Sequence, residues 1–239
     1  CLLGNYGETV MLAYGGGSIK RNGVYDEIMD ILNAAGKRVV EFDRIMPNPT
    51  YAKAQEGAKL ARENHVDLIL AVGGGSVIDS AKAIGYGVFN GGNVWDFYDF
   101  KRQAKGCLPI GAVLTIAAAG SEMSQSSVIT NENGWVKRGY SSNYCRPVFA
   151  VMDPELTMTL PPYQTACGCV DILMHTMERW FGDGGRMELT DGIAAALMRT
   201  VIRNAKILVA EPENYDARAE VMWAGSLSHN GLTGCGTDG

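Results

Sequence analysis

The feature that most constrains the fold is a glycine-rich turn, placed between a strand and a helix, that occurs twice. Gly-Gly-Gly-Ser stands at 15–18 and again at 73–76. Each copy follows a run of β-branched and apolar residues and precedes residues with helical spacing. Because glycine permits a tight turn at low steric cost, each copy lets a strand lead directly into a helix. Repeated strand–helix alternation is typical of a parallel sheet with helices on its faces.

Other patterns continue this alternation through the first half of the chain. Expected strands lie at 9–14, 38–42, 67–72, 108–115 and 147–152, expected helices at 24–35, 50–65 and 77–86, and an expected hairpin between 121 and 146. After Asp153-Pro154 helical patterns dominate and β-branched runs disappear. The sequence therefore predicts a doubly wound α/β domain over residues 1–155, followed by an all-helical domain over residues 156–239.

The composition indicates a folded protein and argues against two classes of partner. Apolar residues make up 46% of the chain and charged residues 20%, the balance of a globular protein with a sizeable core. A net charge of −5 gives no electrostatic reason to expect nucleic acid or an anionic membrane as a partner. The sequence contains no long apolar run and does not begin with a signal-peptide pattern, so we expect a cytoplasmic protein.

The six cysteines do not predict a metal or redox site. They lie at positions 1, 107, 145, 167, 169 and 235. The one close pair, Cys167 and Cys169, has a single residue between its members, whereas zinc ribbons and thioredoxin-like sites use two. We therefore expect reduced, buried thiols.

The glycine turns favour a bound dinucleotide. Glycine lets the backbone approach a phosphate closely, and the amides at the start of the following helix attract its charge. In the second turn, Ser76 can donate to a phosphate and Asp79 can accept from ribose or amide groups. One such turn alone is more often structural, but two in one sheet favour a dinucleotide at the carboxyl ends of the strands. Neither turn has the G-x-G-x-x-G pattern, which argues against an ordinary Rossmann enzyme.

A second candidate site lies in the helical half, at Asp171 and His175. Four-residue spacing places both side chains on one face of a helix, which suits two ligands of one divalent ion. The same spacing is also common in solvated or hydrogen-bonded helix pairs. The pair alone therefore leaves both interpretations open.

Four segments in order along the chain resemble a known family. They are Gly-Gly-Gly-Ser-Val-Ile-Asp-Ser-Ala-Lys at 73–82, the turn at 114–123, the segment from Asp153-Pro154-Glu155 to Pro162, and Val-Asp-Ile-Leu-Met-His-Thr-Met-Glu at 170–178. Together they resemble the signatures of iron-containing alcohol dehydrogenases, most closely the butanol dehydrogenase branch. The resemblance covers essentially the whole chain.

The resemblance implies a metal site. Asp171 and His175 match two of the family's four ligands to Fe2+ or Zn2+, and are the expected catalytic positions. The family takes its other two ligands from histidines further along the helical domain. The later His229 matches neither and is expected to be a core or surface residue, so we expect an incomplete helical domain that lacks half of the metal site.

The resemblance also implies a set of cofactor-binding residues. Those expected at the pyrophosphate and nicotinamide are Gly74, Gly75, Ser76 and Asp79, those expected around the adenine and ribose are Thr115, Ala119 and Ser124, and Lys137 is expected at the nicotinamide ribose. Position 119 is usually threonine in the family, so one hydroxyl contact is missing.

The first glycine turn bears on the choice of cofactor. Gly16 stands where NAD-preferring relatives place an acidic residue, and it is followed by Gly17 and the possible donors Ser18, Lys20 and Arg21. A missing negative charge and added donors favour a 2'-phosphate, so we expect all three of residues 16–18 to contact cofactor and NADP(H) to be preferred over NAD(H). The alternative is that Lys20 and Arg21 are ordinary solvated charges.

The function implied by the resemblance is hydride transfer. Within the family, a metal polarises a carbonyl oxygen while hydride passes between the nicotinamide and the carbonyl carbon. The expected substrate is a small primary alcohol or aldehyde such as butanol or butanal, and the expected assembly is a homodimer. Two alternatives remain, a nucleotide-binding fragment without activity and a dehydroquinate synthase-like lyase. The lyase needs a basic cluster, whereas the arginines of the helical half, at 179, 186, 199 and 203, are dispersed.

Overall fold

A computed structural model describes residues 2–182 and 185–234. The chain divides into two compact units. The first comprises Cys1–Val113 and Gln125–Val151, and the second comprises Leu114–Ser124 and Met152–Gly239. The first unit is an α/β unit and the second is helical, which confirms the fold class expected from the sequence.

The α/β unit alternates strands and helices along the chain. Its elements are β1 (Thr9–Tyr14), α1 (Ser18–Arg21), α2 (Val24–Ala34), β2 (Arg38–Phe42), α3 (Tyr51–Glu63), β3 (Leu68–Gly73), α4 (Gly75–Asn90), α5 (Trp95–Tyr98), β4 (Ile110–Leu114), β5 (Ser126–Asn131), β6 (Val136–Ser141) and β7 (Phe149–Val151). Short 3-10 turns occupy Leu2–Asn5 and Asn143–Cys145.

Local sequence signals explain several of these boundaries. The Thr50 side chain caps α3 by accepting from the Lys53 backbone N–H at 3.3 Å. Gly36 follows α2 with a positive φ of 66°, the left-handed conformation expected after a helix end. The helix expected at 77–86 is longer, because α4 begins directly at the second glycine turn and continues to Asn90.

Strand order brings the two glycine turns side by side at the carboxyl ends of neighbouring strands. The five-stranded sheet has the order β2-β1-β3-β4-β7, and β1 is parallel to both β2 and β3. Tyr14 at the end of β1 pairs with Val72 near the end of β3, so the two turns begin side by side. All residues of β1, β3 and β4 are buried, as expected for central strands covered on both faces.

The expected hairpin forms a separate two-stranded sheet. β5 and β6 pair in antiparallel register from Ser126–Ser141 to Asn131–Val136. The Asp79 side chain of α4 anchors this hairpin, since Oδ2 accepts from the Val128 backbone N–H at 2.9 Å. Lys82, also on α4 and fully buried, donates to the Ser126 carbonyl at 2.7 Å.

The helical unit contains α6 (Pro162–Trp180), α7 (Glu188–Ala210) and α8 (Tyr215–Ser228), preceded by a 3-10 turn at Pro154–Thr157. The Asn214 side chain caps α8 by accepting from the Ala217 backbone N–H at 3.0 Å. Residues from all three helices form the core, namely Cys169, Ile172, Leu197, Val201, Leu208, Ala217, Val221 and Ala224. No helix in the described part of the chain is long and apolar enough to cross a membrane.

The cysteines depart in part from expectation. Cys107, Cys145, Cys167 and Cys169 are free thiols, and Cys145 and Cys169 are buried as expected. Cys107 is half-buried, and Cys167 is exposed because the first turns of α6 leave that face uncovered. The expectation that all thiols are buried was therefore wrong for Cys167. Cys1 and Cys235 lie outside the described residues.

Candidate cofactor and metal sites

The first glycine turn leaves open space for a ligand. Gly16 is exposed, and a Cβ built on it would meet no atom within 4 Å. Gly17 has a φ of 91° and stands directly before α1, so a side chain there would be strained. Ser18, the first residue of α1, is exposed.

Lys20 lies next to an acidic residue that the sequence analysis did not consider. Its ammonium group lies 3.5 Å from Oε2 of Glu41, near the end of β2, and 4.4 Å from the centre of the Tyr25 ring. The Tyr14 hydroxyl donates to the same Glu41 oxygen at 2.5 Å. This hydrogen bond lowers the pKa of Glu41. Glu41 could have been found from the rule that an acidic residue near the end of the second strand often contacts the cofactor ribose.

The second glycine turn has the geometry of a phosphate-binding loop. Gly74 precedes α4 in an extended conformation, and Gly75 and Ser76 form the first half-buried residues of that helix. A Cβ on Gly73 would lie 2.6 Å from Cγ2 of Val77, so glycine is needed for the close approach of strand and helix. The start of α4 presents amides without intrahelical partners and the positive end of the helix dipole. An anionic pyrophosphate fits this arrangement.

Two of the expected cofactor residues also contact the protein. Asp79 accepts from the hairpin backbone, as described above, and is half-buried. Lys137 is exposed on β6, and its Nζ donates to Oδ1 of Asn48 at 3.0 Å. Both side chains therefore have structural contacts that the sequence analysis did not include.

The expected adenine and ribose residues lie in the segment Leu114–Ser124, which belongs to the helical unit. Thr115 and Ala119 are half-buried, while Ser124 is 2% exposed. The segment packs closely on helices, because a Cβ on Gly168 of α6 would lie 2.1 Å from the Ala117 carbonyl oxygen.

A buried carboxylate holds the same segment to α8. Glu122 is 3% exposed, and its Oε1 accepts a short hydrogen bond from the Ser226 hydroxyl. Gly120 has a φ of 62°, and a Cβ there would lie 2.5 Å from the Gly225 carbonyl oxygen. Glu122 was missed by the sequence analysis because its partner lies far away along the chain.

Asp171 and His175 face each other on α6 as the spacing predicts. Nε2 of His175 lies 3.7 Å from Oδ1 of Asp171, and Nδ1 lies 3.8 Å from Oε2 of Glu178. Two ligands of one tetrahedral ion at bond lengths of about 2.1 Å lie roughly 3.4 Å apart, so the pair fits as two donors. Among residues 2–182 and 185–234, no group of three or more His, Cys, Asp or Glu side chains is arranged to hold a metal ion.

His229 lies beside this pair, although its sequence position matched no ligand. The ring centres of His175 and His229 are 4.6 Å apart, with an edge-to-face angle of 73°. Nδ1 of His229 also lies 3.1 Å from Nη2 of Arg179, a side chain that is 9% exposed. Burial lowers the pKa of the Arg179 guanidinium. Arg179 entered the sequence analysis only as one of several dispersed arginines.

Two family models match the chain. The model for iron-containing alcohol dehydrogenase matches residues 2–154, and the model for the C-terminal part of the Fe-containing alcohol dehydrogenase family matches residues 165–236.

Individual relatives agree with these matches. The chain is 44% identical over 233 residues to NADH-dependent butanol dehydrogenase A of Clostridium acetobutylicum, covering 98% of this chain and 60% of that protein. It is 40% identical over 230 residues to the NADPH-dependent aldehyde reductase YqhD of Escherichia coli, covering 95% and 59%. The crystal structure of NADH-dependent butanol dehydrogenase A from Thermotoga maritima superposes with a TM-score of 0.94 at 41% identity, covering 97% of this chain and 58% of that one. The chain thus spans about 60% of the length of these relatives.

Proposed function

Because the chain belongs to the iron-containing alcohol dehydrogenase family, butanol dehydrogenase branch, we propose that it acts in hydride transfer between a nicotinamide cofactor and a small primary alcohol or aldehyde. The observation that carries the proposal is the pairing of Tyr14 with Val72, which sets both glycine turns side by side at the carboxyl ends of β1 and β3. Butanol and butanal are the substrates to test first, since relatives are named for them.

In this proposal residues 1–155 form the dinucleotide-binding domain and residues 156–239 the metal-binding domain. The start of α4, with Gly74, Gly75 and Ser76, binds the pyrophosphate. The further cofactor contacts are Gly16, Gly17, Ser18, Asp79, Thr115, Ala119, Ser124 and Lys137. A cytoplasmic location and a homodimeric assembly remain predictions.

We propose NADP(H) as the preferred cofactor. The open space at Gly16 and the donors Ser18 and Lys20 favour a 2'-phosphate. Glu41 opposes it, because the phosphate competes with this carboxylate for Lys20. We therefore expect a modest preference, in keeping with relatives that are named for NADH and for NADPH.

Asp171 and His175 are the residues that would hold Fe2+ or Zn2+. When bound, such an ion supplies a Lewis acid for the oxygen of the alcohol or aldehyde. The carboxylate and imidazole provide two donors from one helix face, at a separation suited to one ion. The two side chains would hold the ion at this face of α6.

The relatives found are alcohol dehydrogenases and aldehyde reductases, which favours hydride transfer over a dehydroquinate synthase-like reaction. A second candidate function is nucleotide binding without turnover. It is favoured by one observation, that only Asp171 and His175 can be assigned as metal donors in the described part of the chain.

The test combines cofactor binding with turnover. NADPH binding is titrated by fluorescence, and oxidation of NADPH is followed with butanal and added Fe2+ or Zn2+, for the unchanged chain, for Asp171→Asn and for His175→Gln. Glu220→Gln is the control, because it neutralises an exposed carboxylate on α8. The proposal is supported if the unchanged chain binds NADPH and oxidises it with butanal, and if Asp171→Asn and His175→Gln both lose this oxidation. Binding without turnover supports the second candidate, and absence of binding to both NADPH and NADH overturns both.

A further inference from the structure

Arg179 lies one helical turn after His175 on α6 and makes three hydrogen bonds, one within α6 and two at the end of α8. Nη1 donates to the His175 carbonyl at 2.8 Å and to the Ser228 carbonyl at 2.9 Å. Nη2 lies 3.1 Å from Nδ1 of His229. The guanidinium is thus committed to acceptors from both helices, within a region where its side chain is buried.

The chemistry of the guanidinium fixes the protonation of His229. Arginine has no acceptor, so Nδ1 of His229 must accept the hydrogen bond through its lone pair. A neutral His229 then carries its proton on Nε2. Because Nδ1 is engaged and Nε2 is protonated, His229 in this tautomer offers no lone pair to a metal.

The His229 ring restricts the neighbouring imidazole instead. It meets the His175 ring edge to face at a centre-to-centre distance of 4.6 Å, from the α8 side. On its own helix, the His175 ring lies between the carboxylates of Asp171 and Glu178, at 3.7 and 3.8 Å. Rotation of the His175 side chain away from Asp171 is therefore opposed by groups on both helices.

We infer that Arg179 and His229 are positioning residues that hold the His175 imidazole facing Asp171 before any metal binds. The purpose of this arrangement rests on the proposed function, in which His175 is a metal ligand. The arrangement itself can be tested without metal. Groups that orient a metal-binding histidine commonly affect metal affinity by about 10- to 100-fold when they are removed.

The structure supplies a matched control for Arg179. Arg218 is 3% exposed on α8 and also links α8 to α6, since Nη1 donates to the Thr165 hydroxyl at 3.1 Å. Its Nε donates to the Pro212 carbonyl at 2.8 Å. Thr165 lies at the opposite end of α6 from His175. Arg218→Lys therefore disturbs a buried arginine of the same helix pair without reaching the imidazole.

The first measurement is the imidazole 1H–15N correlation spectrum of the metal-free chain, which has three histidines. In the unchanged chain His229 should show the tautomer with the proton on Nε2. Arg179→Lys retains the charge but not the fork of donors, and should shift the His175 and His229 signals, whereas Arg218→Lys should leave them in place. If both lysine variants shift these signals equally, or neither does, the inference is overturned.

The second measurement is Co2+ affinity. Two substitutions of His229 separate the effect of its ring from that of its hydrogen-bond acceptor. His229→Asn keeps an acceptor for Arg179 but removes the ring, while His229→Phe keeps a ring but removes the acceptor. We expect roughly 10-fold weaker Co2+ binding for Arg179→Lys and partial losses for both His229 variants, with Arg218→Lys within about twofold of the unchanged chain. Complete loss in both His229 variants, with full affinity in Arg179→Lys, would make His229 a ligand and overturn the inference. If His175→Gln binds Co2+ as the unchanged chain does, the proposed metal site fails, while the spectra still decide the positioning role.

Discussion

Replacing Gly168 with alanine tests how closely the segment Leu114–Ser124 is packed on α6. The added Cβ would lie 2.1 Å from the Ala117 carbonyl oxygen and 3.7 Å from Cβ of Ala118. Non-bonded heavy atoms prefer about 3.5 Å, so the backbone of the segment must move by about 1.4 Å. A backbone carbonyl cannot rotate away as the end of a flexible side chain can.

The expected loss follows from two opposing terms. Overpacking of this kind costs about 1 to 3 kcal/mol, and the backbone contact places it at the upper end. The higher helix propensity of alanine returns about 1 kcal/mol. We expect a net loss of about 2 kcal/mol in the free energy of unfolding, which corresponds to a fall in Tm of roughly 4 to 8 °C for a chain of this size.

Gly192→Ala is the control, because a Cβ at that position of α7 would meet no atom within 4 Å. It should raise the free energy of unfolding by about 0.5 to 1 kcal/mol. Thermal unfolding followed by circular dichroism compares the two variants, and hydrogen exchange of α6 peptides locates the change. Equal stability of the two variants would refute the packing argument.

Three further predictions concern the sites. Gly16→Asp fits the open space at that position and should weaken NADPH binding by roughly fivefold, since like charges about 4 Å apart in water repel by about 1 kcal/mol. NADH binding should change little, and the uncharged Gly16→Asn should weaken NADPH binding less. Fluorescence titration measures both cofactors, and equal losses of NADPH and NADH affinity in Gly16→Asp would contradict the 2'-phosphate argument. Gly75→Val places a side chain where the pyrophosphate is expected and should abolish dinucleotide binding while the circular dichroism spectrum is retained; normal binding would mean that the turn is merely structural. Because Asp171 and His175 are the donors assigned in the described part of the chain, the 239-residue chain should lose Fe2+ or Zn2+ on dialysis, and its reduction of butanal should be slow and should require added metal. Tight, stoichiometric metal would show a further ligand, with His229 the first to replace.

The α/β unit was predictable because its determinants are local. β1 and β2 have the expected bounds, Thr9–Tyr14 and Arg38–Phe42, since each is a short run that contains β-branched or other apolar residues and is bounded by turn residues. The first residue of α3 follows from the capping side chain of Thr50. The position of both glycine turns at the same end of the sheet follows from the parallel direction of β1 and β3, because neighbouring parallel strands have their carboxyl ends on the same side.

The contacts that connect distant segments could not be predicted in the same way. Leu114–Ser124 follows a strand of the α/β unit but packs with the helices, because Gly168 leaves room for its backbone. A single glycine in a helix pattern indicates only a missing side chain, not the segment that occupies the space. The contact between Glu41 and Tyr14 could not be predicted either, since it depends on the register between two strands.

For Asp171 and His175, the shared helix face could be predicted from the sequence, but the orientation of the His175 imidazole could not. Helical spacing fixes the distance between the backbone positions of Asp171 and His175, which is why the sequence suffices to predict that they share a face. It does not fix where the imidazole points, because side-chain rotation within a helix is limited by neighbours outside it. In this chain those neighbours are His229, at the end of α8, and Arg179, whose hydrogen bonds reach that end of α8. A local motif can therefore identify the ligands of a metal, whereas their readiness to bind depends on residues that no local motif contains.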